Sequence, residues 1–399
     1  LLLTAGFDRY SRDVRRGLTG PHEADPSWQL RPAPFDPVAA LQAAGTDSDL
    51  ARLLETLPPV HSAYTRLRTA LARYRRLAEQ GGWLPLPAGP KLAPGDEHEQ
   101  VVLLRARLRS EGDLPLFALS FGTRYDAPLA TAVENFQHRH GLHADGIVGT
   151  RTRAALNVPA AERAAQLRRA MERLRWLPRD FGSHYILVNT AGFELAVVED
   201  GKTLLRMRTI NGTPDQATPS FTATLQSLII NPYWYVPERI ARDRLWPRAQ
   251  ANPGYLPARG FRVFDTRNGA WQELDPARLD WARINGNGSG VRLRQEPGPG
   301  NLMGRLSFVF PNPFDVFLHD TPERALFERD TRIFSEGCVR IENAMALALH
   351  TLRRMPEWTA ARLQEEIDAL HQQTLHLPEP IPVYVLYLPA WMADDGQVQ

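Results

Sequence analysis

Cys338 is the sole cysteine in 399 residues, and it stands in "FSEGCVRIEN" (334–343), a polar setting for a thiol. A solitary cysteine commonly serves as a small buried apolar group. Three neighbours point instead to a nucleophile. Gly337 lets the backbone approach a substrate closely, and Arg340 favours a thiolate. The helical pattern of "IENAMALALHTLRRM" just beyond predicts free N–H groups aimed at the same place, donors for an oxyanion. His319, in "DVFLHDTP" at the end of an apolar strand run, precedes the thiol by 19 positions. An imidazole near the sulfur can take its proton and later return it to a leaving amine. One thiol excludes an intramolecular disulfide and any multi-cysteine zinc cluster, and it leaves the compartment open.

These two residues must be brought together by a fold, and the chain is long enough for two or three domains. With 43% hydrophobic and 23% charged residues it reads as soluble and globular. The net charge of +2 conceals an arginine bias, clustered on helical patterns such as "YTRLRTALARYRRLA" and "RAAQLRRAMERLRWLPR". Such clusters form solvated faces or a surface for a polyanion such as nucleic acid. No run approaches the ~20 apolar residues of a membrane span, and "LLLTAGF" is too short for a signal core. Because it begins with Leu1, the chain reads as a fragment whose export signal, if any, has been removed.

Residues 1–90 read as a proline-punctuated helical segment, with Leu67, Leu71 and Tyr74 on one helix face and Pro58-Pro59 as a stop. "LPAGPKLAPGDE" marks a boundary. Residues 91–158 then give three helices, with Leu129, Val133, Phe136 and His140 sharing a face, a turn at Asp145-Gly146, and Thr150 placed to cap the last helix. Residues 159–182 form one more helix, its apolar side made by Leu167, Met171, Leu174 and Leu177. From 183 to 390 the period turns to strands: "HYILVNTAGFELAVVEDGKTLLRMRTING", "ATLQSLIINPYWYV", "VRLRQ", "LSFVFP", "VFLHD" and a last "IPVYVLYLP". An insertion at about 238–290, ending in glycine-rich "INGNGSG", reads as a loop-rich lid with a hinge, or else as a plain extension packed on its neighbours. "GNGSG" lacks the lysine and strand-to-helix setting of a nucleotide loop.

Two stretches carry a resemblance. "AVENFQHRHGLHADGIVGTRTRAAL" closely resembles the peptidoglycan-binding domain family in its Phe-Gln pair and turn glycines. "HDTP" followed by "SEGCVR" resembles the L,D-transpeptidase catalytic domain, as do "NPYWYVP", "PGYL", "RLRQEPGPGN" and "FPNPFDVFLHDTP". Nearly the whole chain is similar to the long periplasmic transpeptidases. The resemblance implies an α+β multidomain fold: a helical scaffold, a three-helix peptidoglycan-binding module and a mainly β catalytic domain with a lid insertion. One departure is Glu336, which stands where the family motif has a histidine before Gly-Cys. A carboxylate there opposes thiolate formation unless it turns outward or pairs, for instance with Arg340.

The resemblance implies a reaction on a peptidoglycan tetrapeptide donor. Cys338 attacks the carbonyl of the third residue, D-alanine leaves, and the side-chain amine of a second stem opens the thioester. His319 is the base, the Gly337 and Cys338 amides hold the oxyanion, and the backbone oxygen of Asp320 orients the imidazole. Arg340 either binds a stem carboxylate or pairs with Glu336 or Glu342. Asn231, Tyr233 and Trp234 line a groove or belong to the core. No metal or cofactor is implied, nor nucleic acid as a partner. Carbapenem inhibitors, an extracytoplasmic (periplasmic) location and a membrane anchor outside this chain are. Hydrolysis with water as acceptor, a peptidoglycan-binding protein disabled at Glu336, and an arginine-driven nucleic-acid binder are the competing readings.

Overall fold

The structure, a computed structural model, describes residues 2–45, 47–284, 290–392 and 397–399. Two compact units divide the chain, Leu1–Phe181 with Leu386–Gln399, and Gly182–Val385. Among the described residues no helix is long and apolar enough to cross a membrane.

The first unit is helical: α1 (Leu2–Arg16), α2 (Pro21–Ala24), α3 (Pro37–Ala43), α4 (Asp47–Thr56), α5 (Ser62–Glu79), α6 (Gln100–Glu111), α7 (Ala127–Arg139), α8 (Thr150–Leu156) and α9 (Ala160–Arg175). α4 ends just before Pro58-Pro59, and α5 buries Leu67, Leu71 and Tyr74 as its spacing predicts. Helices α6, α7 and α8 share a core of Leu104, Leu108, Leu129, Val133, Phe136 and Leu156. The "FQ…DG" signature has a physical basis in Gln137, which is buried and saturated. Its Nε2 donates to Asp145 Oδ1 at 2.9 Å, to the Ile147 carbonyl at 2.9 Å and to Thr152 Oγ1 at 3.1 Å, while its Oε1 accepts from the Gly146 amide. Gly146 takes φ +67°, and its carbonyl accepts from the Tyr125 hydroxyl at 2.7 Å. Thr150 does not cap α8; Gly149 holds that position and Thr150 is the first helical residue.

Charge is buried at the end of α6. Glu111 is paired with Arg107 at 2.7 Å and with Arg139 at 2.8 Å, Arg139 also grips Asp113 at 2.6 Å, and the Tyr74 hydroxyl donates to Glu111 at 2.8 Å. Burial alone raises the Glu111 pKa, but the two guanidinium groups outweigh it and hold the value down to about 2.

In the second unit nine strands form one sheet: β1 (His184–Asn189), β2 (Glu194–Glu199), β3 (Lys202–Gly212), β4 (Phe221–Ile230), then, after an insertion, β9 (Leu306–Val309), β10 (Leu318–His319), β11 (Ile333–Ser335), β12 (Val339–Ile341) and β13 (Gln373–Leu386). Their order is β11-β3-β12-β10-β9-β4-β13-β1-β2, and an additional β2–β3 pairing closes the sheet on itself. Its core contains Ile186, Val197, Leu228, Phe308, Leu318 and Val339.

The insertion is not loop-rich. It contains a separate four-stranded sheet, β5 (Trp234–Tyr235), β6 (Phe261–Asp265), β7 (Gln272–Leu274) and β8 (Val291–Gln295), in the order β5-β8-β6-β7. With it come α10 (Glu238–Ile240), a π-helical turn Ala241–Leu245, α11 (Trp246–Ala251) and α12 (Trp281–Ile284). "FRVFD" and "VRLRQ" alternate with period two, so one face of the small sheet buries Phe261, Val263, Val291 and Leu293 against Ile240, Leu245 and Trp246. The glycine-rich hinge read at 285–289 lies outside the described residues. Back in the main sheet, α13 (Ala344–Thr351) follows β12 and α14 (Ala360–Asp368) precedes β13; the second of these helices is not foreseen in the sequence.

Glu111→Gln leaves Arg107 and Arg139 undercompensated in the interior and should cost roughly 3–5 kcal/mol of stability in urea unfolding at pH 7. Because the folded pKa of Glu111 is depressed, its contribution is complete above the ordinary value of 4.5 and fades as the pH falls towards 2. The variant's deficit relative to the parent should therefore shrink in acid.

Candidate active site

Strands β10 and β12 run parallel, with Leu318 opposite Val339 and His319 opposite Arg340. Leu318, Val339 and Ile341 are fully buried in the core of the sheet. Strand alternation then sends His319, Arg340 and, two positions before it, Cys338 to the opposite face. The Val339 amide donates to the Phe317 carbonyl at 2.9 Å, which fixes the thiol-bearing residue alongside the segment leading into His319.

His319 is buried at 4% exposure, and its Nδ1 lies 2.6 Å from the backbone oxygen of Asp320. A carbonyl can only accept, so Nδ1 carries the hydrogen of the neutral ring. Burial first, and the Arg340 charge second, push the imidazole pKa down to about 4, against backbone hydrogen bonds to Asp320 and Met303 that favour the charged ring. Asp320 is pinned in turn. Its Oδ2 accepts from the Arg305 amide at 2.9 Å and its Oδ1 pairs with Arg324 at 2.8 Å. Gly304, at φ +65°, packs so closely that a Cβ there would lie 2.5 Å from the Asp320 carbonyl carbon.

Cys338 is half-buried, and its sulfur lies 3.6 Å from the Asp315 carbonyl. Burial raises the thiol pKa; hydrogen bonding from the Phe317 backbone and the Arg340 charge pull it down without overcoming burial. Burial thus favours the uncharged form of both groups, against the arginine-stabilised thiolate expected from the sequence. The helix expected immediately after the cysteine is also displaced. β12 intervenes, and α13 begins at Ala344 with its N-terminus capped by the Asn343 side chain, which accepts from the Ala346 amide at 3.0 Å.

The loop before the thiol is held by two hydroxyls that sequence reasoning passed over. Ser335 Oγ accepts from the Gly337 amide at 3.2 Å and donates to the Cys338 carbonyl. Thr218 Oγ1 donates to the Gly337 carbonyl at 2.8 Å and accepts from the Gly212 amide at 3.0 Å. Gly337 has φ +116°, and Gly212 has no room for a Cβ because the Gln216 carbonyl fills the space. The Gly337 N–H is thus engaged by Ser335 and is not free to serve the oxyanion expected of it from the sequence. Ser335 stands inside the quoted motif and could have been singled out there; Thr218 carries no comparable signal.

Glu336 is paired with arginine as the sequence suggests, though not with Arg340. Arg340 pairs with Glu323, not with Glu336 or Glu342. Glu342 is held by Arg208. Glu336 is gripped by Arg239 and by Arg244, the latter at 2.5 Å, both from the insertion. Asn231 is no groove residue: fully buried at φ +50°, it donates to the carbonyls of Glu366 at 2.8 Å and Ile367 at 3.0 Å and accepts from Arg305 Nε at 3.1 Å. Trp234 turns into the core of the insertion against Phe261. Tyr233 lies on the other face of the small sheet, under the Arg294 guanidinium at 4.2 Å.

Residues 183–356 match the model of the L,D-transpeptidase catalytic domain, residues 1–71 that of a scaffold domain, and residues 97–156 that of a "Putative peptidoglycan binding domain". A Haemophilus influenzae protein named "Putative L,D-transpeptidase" is 33% identical over 227 residues, which is 57% of this chain and 45% of that protein. The match spans less than half the length of that relative. Among solved structures, the L,D-transpeptidase from Stackebrandtia nassauensis is 15% identical, with a TM-score of 0.28 over 76% of this chain and 97% of that one. The L,D-transpeptidase from Xylanimonas cellulosilytica is 17% identical, with a TM-score of 0.23 over 75% of this chain and 99% of that one. Scores this low add no weight to the sequence matches. Residues 183–356 are thus similar to the L,D-transpeptidase catalytic-domain family, and the same polypeptide carries stretches similar to scaffold and peptidoglycan-binding domains.

Proposed function

We propose that the protein is an extracytoplasmic L,D-transpeptidase that joins peptidoglycan stem peptides through their third residues. The observation that carries the reading is the β10–β12 register, which puts His319 and Cys338 on one face of the sheet with the imidazole held from behind by Asp320. The family of the catalytic domain and the peptidoglycan-binding match on the same chain support the substrate class.

In this mechanism Nε2 of neutral His319 accepts the thiol proton as the sulfur bonds to the carbonyl carbon of the third residue of a tetrapeptide donor. The Cys338 amide stabilises the oxyanion. Collapse breaks the C–N bond to the terminal D-alanine, whose amine takes the proton from His319. The side-chain amine of a neighbouring stem then gives its proton to His319 and displaces the sulfur, which regains it as the crosslink forms. Proton transfer accompanies attack because burial disfavours both a resting thiolate and a resting imidazolium. Arg340, tied to Glu323 and beside His319 in register, acts by tuning this pair. Glu336 adds little negative charge at the sulfur, since Arg239 and Arg244 neutralise it.

Incubation with a carbapenem should add one acyl mass to the protein and none to Cys338→Ser, and purified disaccharide-tetrapeptide should yield crosslinked dimers. Tripeptides without dimers would identify a hydrolase instead, and no adduct on the parent protein would identify a disabled enzyme.

A second expectation concerns pH. The base works in its neutral form and its pKa is depressed, so kcat/KM should hold through the weakly acidic range and fall only near pH 4. A fall centred on the ordinary histidine value of 6.5 would contradict this. Third, the alkylation pKa of Cys338 in Glu336→Gln should move by less than about half a unit, the size of a screened remote charge. A drop of two units would mean that the carboxylate faces the sulfur unpaired.

A further inference from the structure

The outer face of the small sheet in the insertion is only partly covered by the described residues. Period-two alternation assigns to it Tyr233 and Tyr235 of β5, Arg294 of β8, Arg262 and Phe264 of β6, and Glu273 of β7. Trp271, just before β7, joins them. Tyr235 and Trp271 meet edge to face with centroids 5.4 Å apart and planes at 80°, and Trp271 meets Phe264 in the same manner at 5.2 Å. Arg294 lies over Tyr233 at 4.2 Å and over Phe264 at 4.9 Å. The row is therefore built and braced, yet its two outermost rings remain 55% and 47% exposed, Tyr235 and Trp271 respectively. Large rings held rigidly in water at that exposure mark a binding surface more often than a core.

The charges beside the rings choose among occupants. Arg262 pairs with Glu273 at 3.2 Å, Arg294 with Glu296 at 2.8 Å, and Arg292 with Glu238 at 3.3 Å. Three cations are balanced by three anions, so the face has no net attraction for a polyanion, whose binding depends on excess positive charge. Fixed guanidinium donors next to carboxylate acceptors suit a ligand whose groups both donate and accept, as hydroxyls do. Exposed ring faces carry the negative side of an aromatic quadrupole and attract the polarised C–H face of a pyranose.

We infer that this face is a glycan-binding platform, in which Tyr235 and Trp271 stack on a neutral β-linked amino-sugar chain and the Arg–Glu pairs bond its hydroxyls. That the natural chain is the glycan strand of peptidoglycan rests on the function proposed above; the stacking itself does not. Such a contact would hold the polymer on the insertion while its stem peptides are offered to Cys338.

The test uses the full chain with Cys338→Ser, labelled with 5-fluorotryptophan and titrated with an N-acetylglucosamine tetramer. Among the nine tryptophans the Trp271 signal is the one absent from Trp271→Phe. It should shift on titration, and Tyr235→Ala should weaken the apparent Kd about tenfold, the loss of one ring contact. Raising the salt to 0.5 M should leave the titration unchanged. Both side chains are exposed, so unaltered circular dichroism is expected and checks the fold. A Trp271 signal that never moves overturns the inference. So does binding that salt abolishes, which would make the face a polyanion site, and so does self-association that Trp271→Ala abolishes, which would make it a protein interface. Acyl transfer by the unmodified protein is assayed separately, and its failure would not move these signals.

Discussion

The parallel pairing of β10 with β12 is the constraint from which the site follows. Leu318, Val339 and Ile341 are driven into the core, and a shift of either strand by one residue would turn those side chains into water. Hydrophobic packing on one face thereby fixes where the imidazole and the thiol emerge on the other. Burial then sets their charge state, lowering the His319 pKa to about 4 and raising that of Cys338. Both groups are thereby biased towards their uncharged forms.

Arginine does structural work throughout the chain, and the same side chain serves different ends according to its depth. In the first unit Arg107 and Arg139 compensate a buried carboxylate that could not stay ionised alone. In the second, Arg340 is spent on Glu323, and Arg208 on Glu342. Arg239 and Arg244 reach from the insertion to Glu336, two positions before the nucleophile. This ion pair fastens a subdomain with its own sheet and core to the loop that carries the thiol. The arginine bias of the composition is answered by glutamate partners, which weakens the reading of the chain as a nucleic-acid binder.

Much of this was legible beforehand because it is periodic or local. Leu67, Leu71 and Tyr74 announced α5, and Gln137 with Gly146 announced the turn that they build. The solitary cysteine, its glycine and the histidine at a strand end pick out two residues that lie together at the β10–β12 pairing. What was missed depends on contacts distant in sequence. The strands at either end of the insertion are legible, but β6 and β7 are not: both are short, they stand among proline and glycine, and Phe264 puts a buried ring on the second face of "FRVFD", which masks its period. Asn231 and Trp234 read locally as groove or core alike, and the structure gives the core: Asn231 is a buried pin for the last turn of α14, and Trp234 belongs to a separate core. Thr218 braces a carbonyl 119 residues away, and no local pattern reports a partner at that range.

One small feature bears on precision. Gly304 packs against both the backbone and the side chain of Asp320, so that a Cβ there would collide with the Asp320 Cβ and lie 2.5 Å from its carbonyl carbon. The segment beside His319 is thus seated where no larger residue than glycine fits, and Asp320 has its Cβ, Cγ and carbonyl carbon all held against that one position. Any residue larger than glycine at 304 would push Asp320 away and, with it, the carbonyl that Nδ1 of His319 meets.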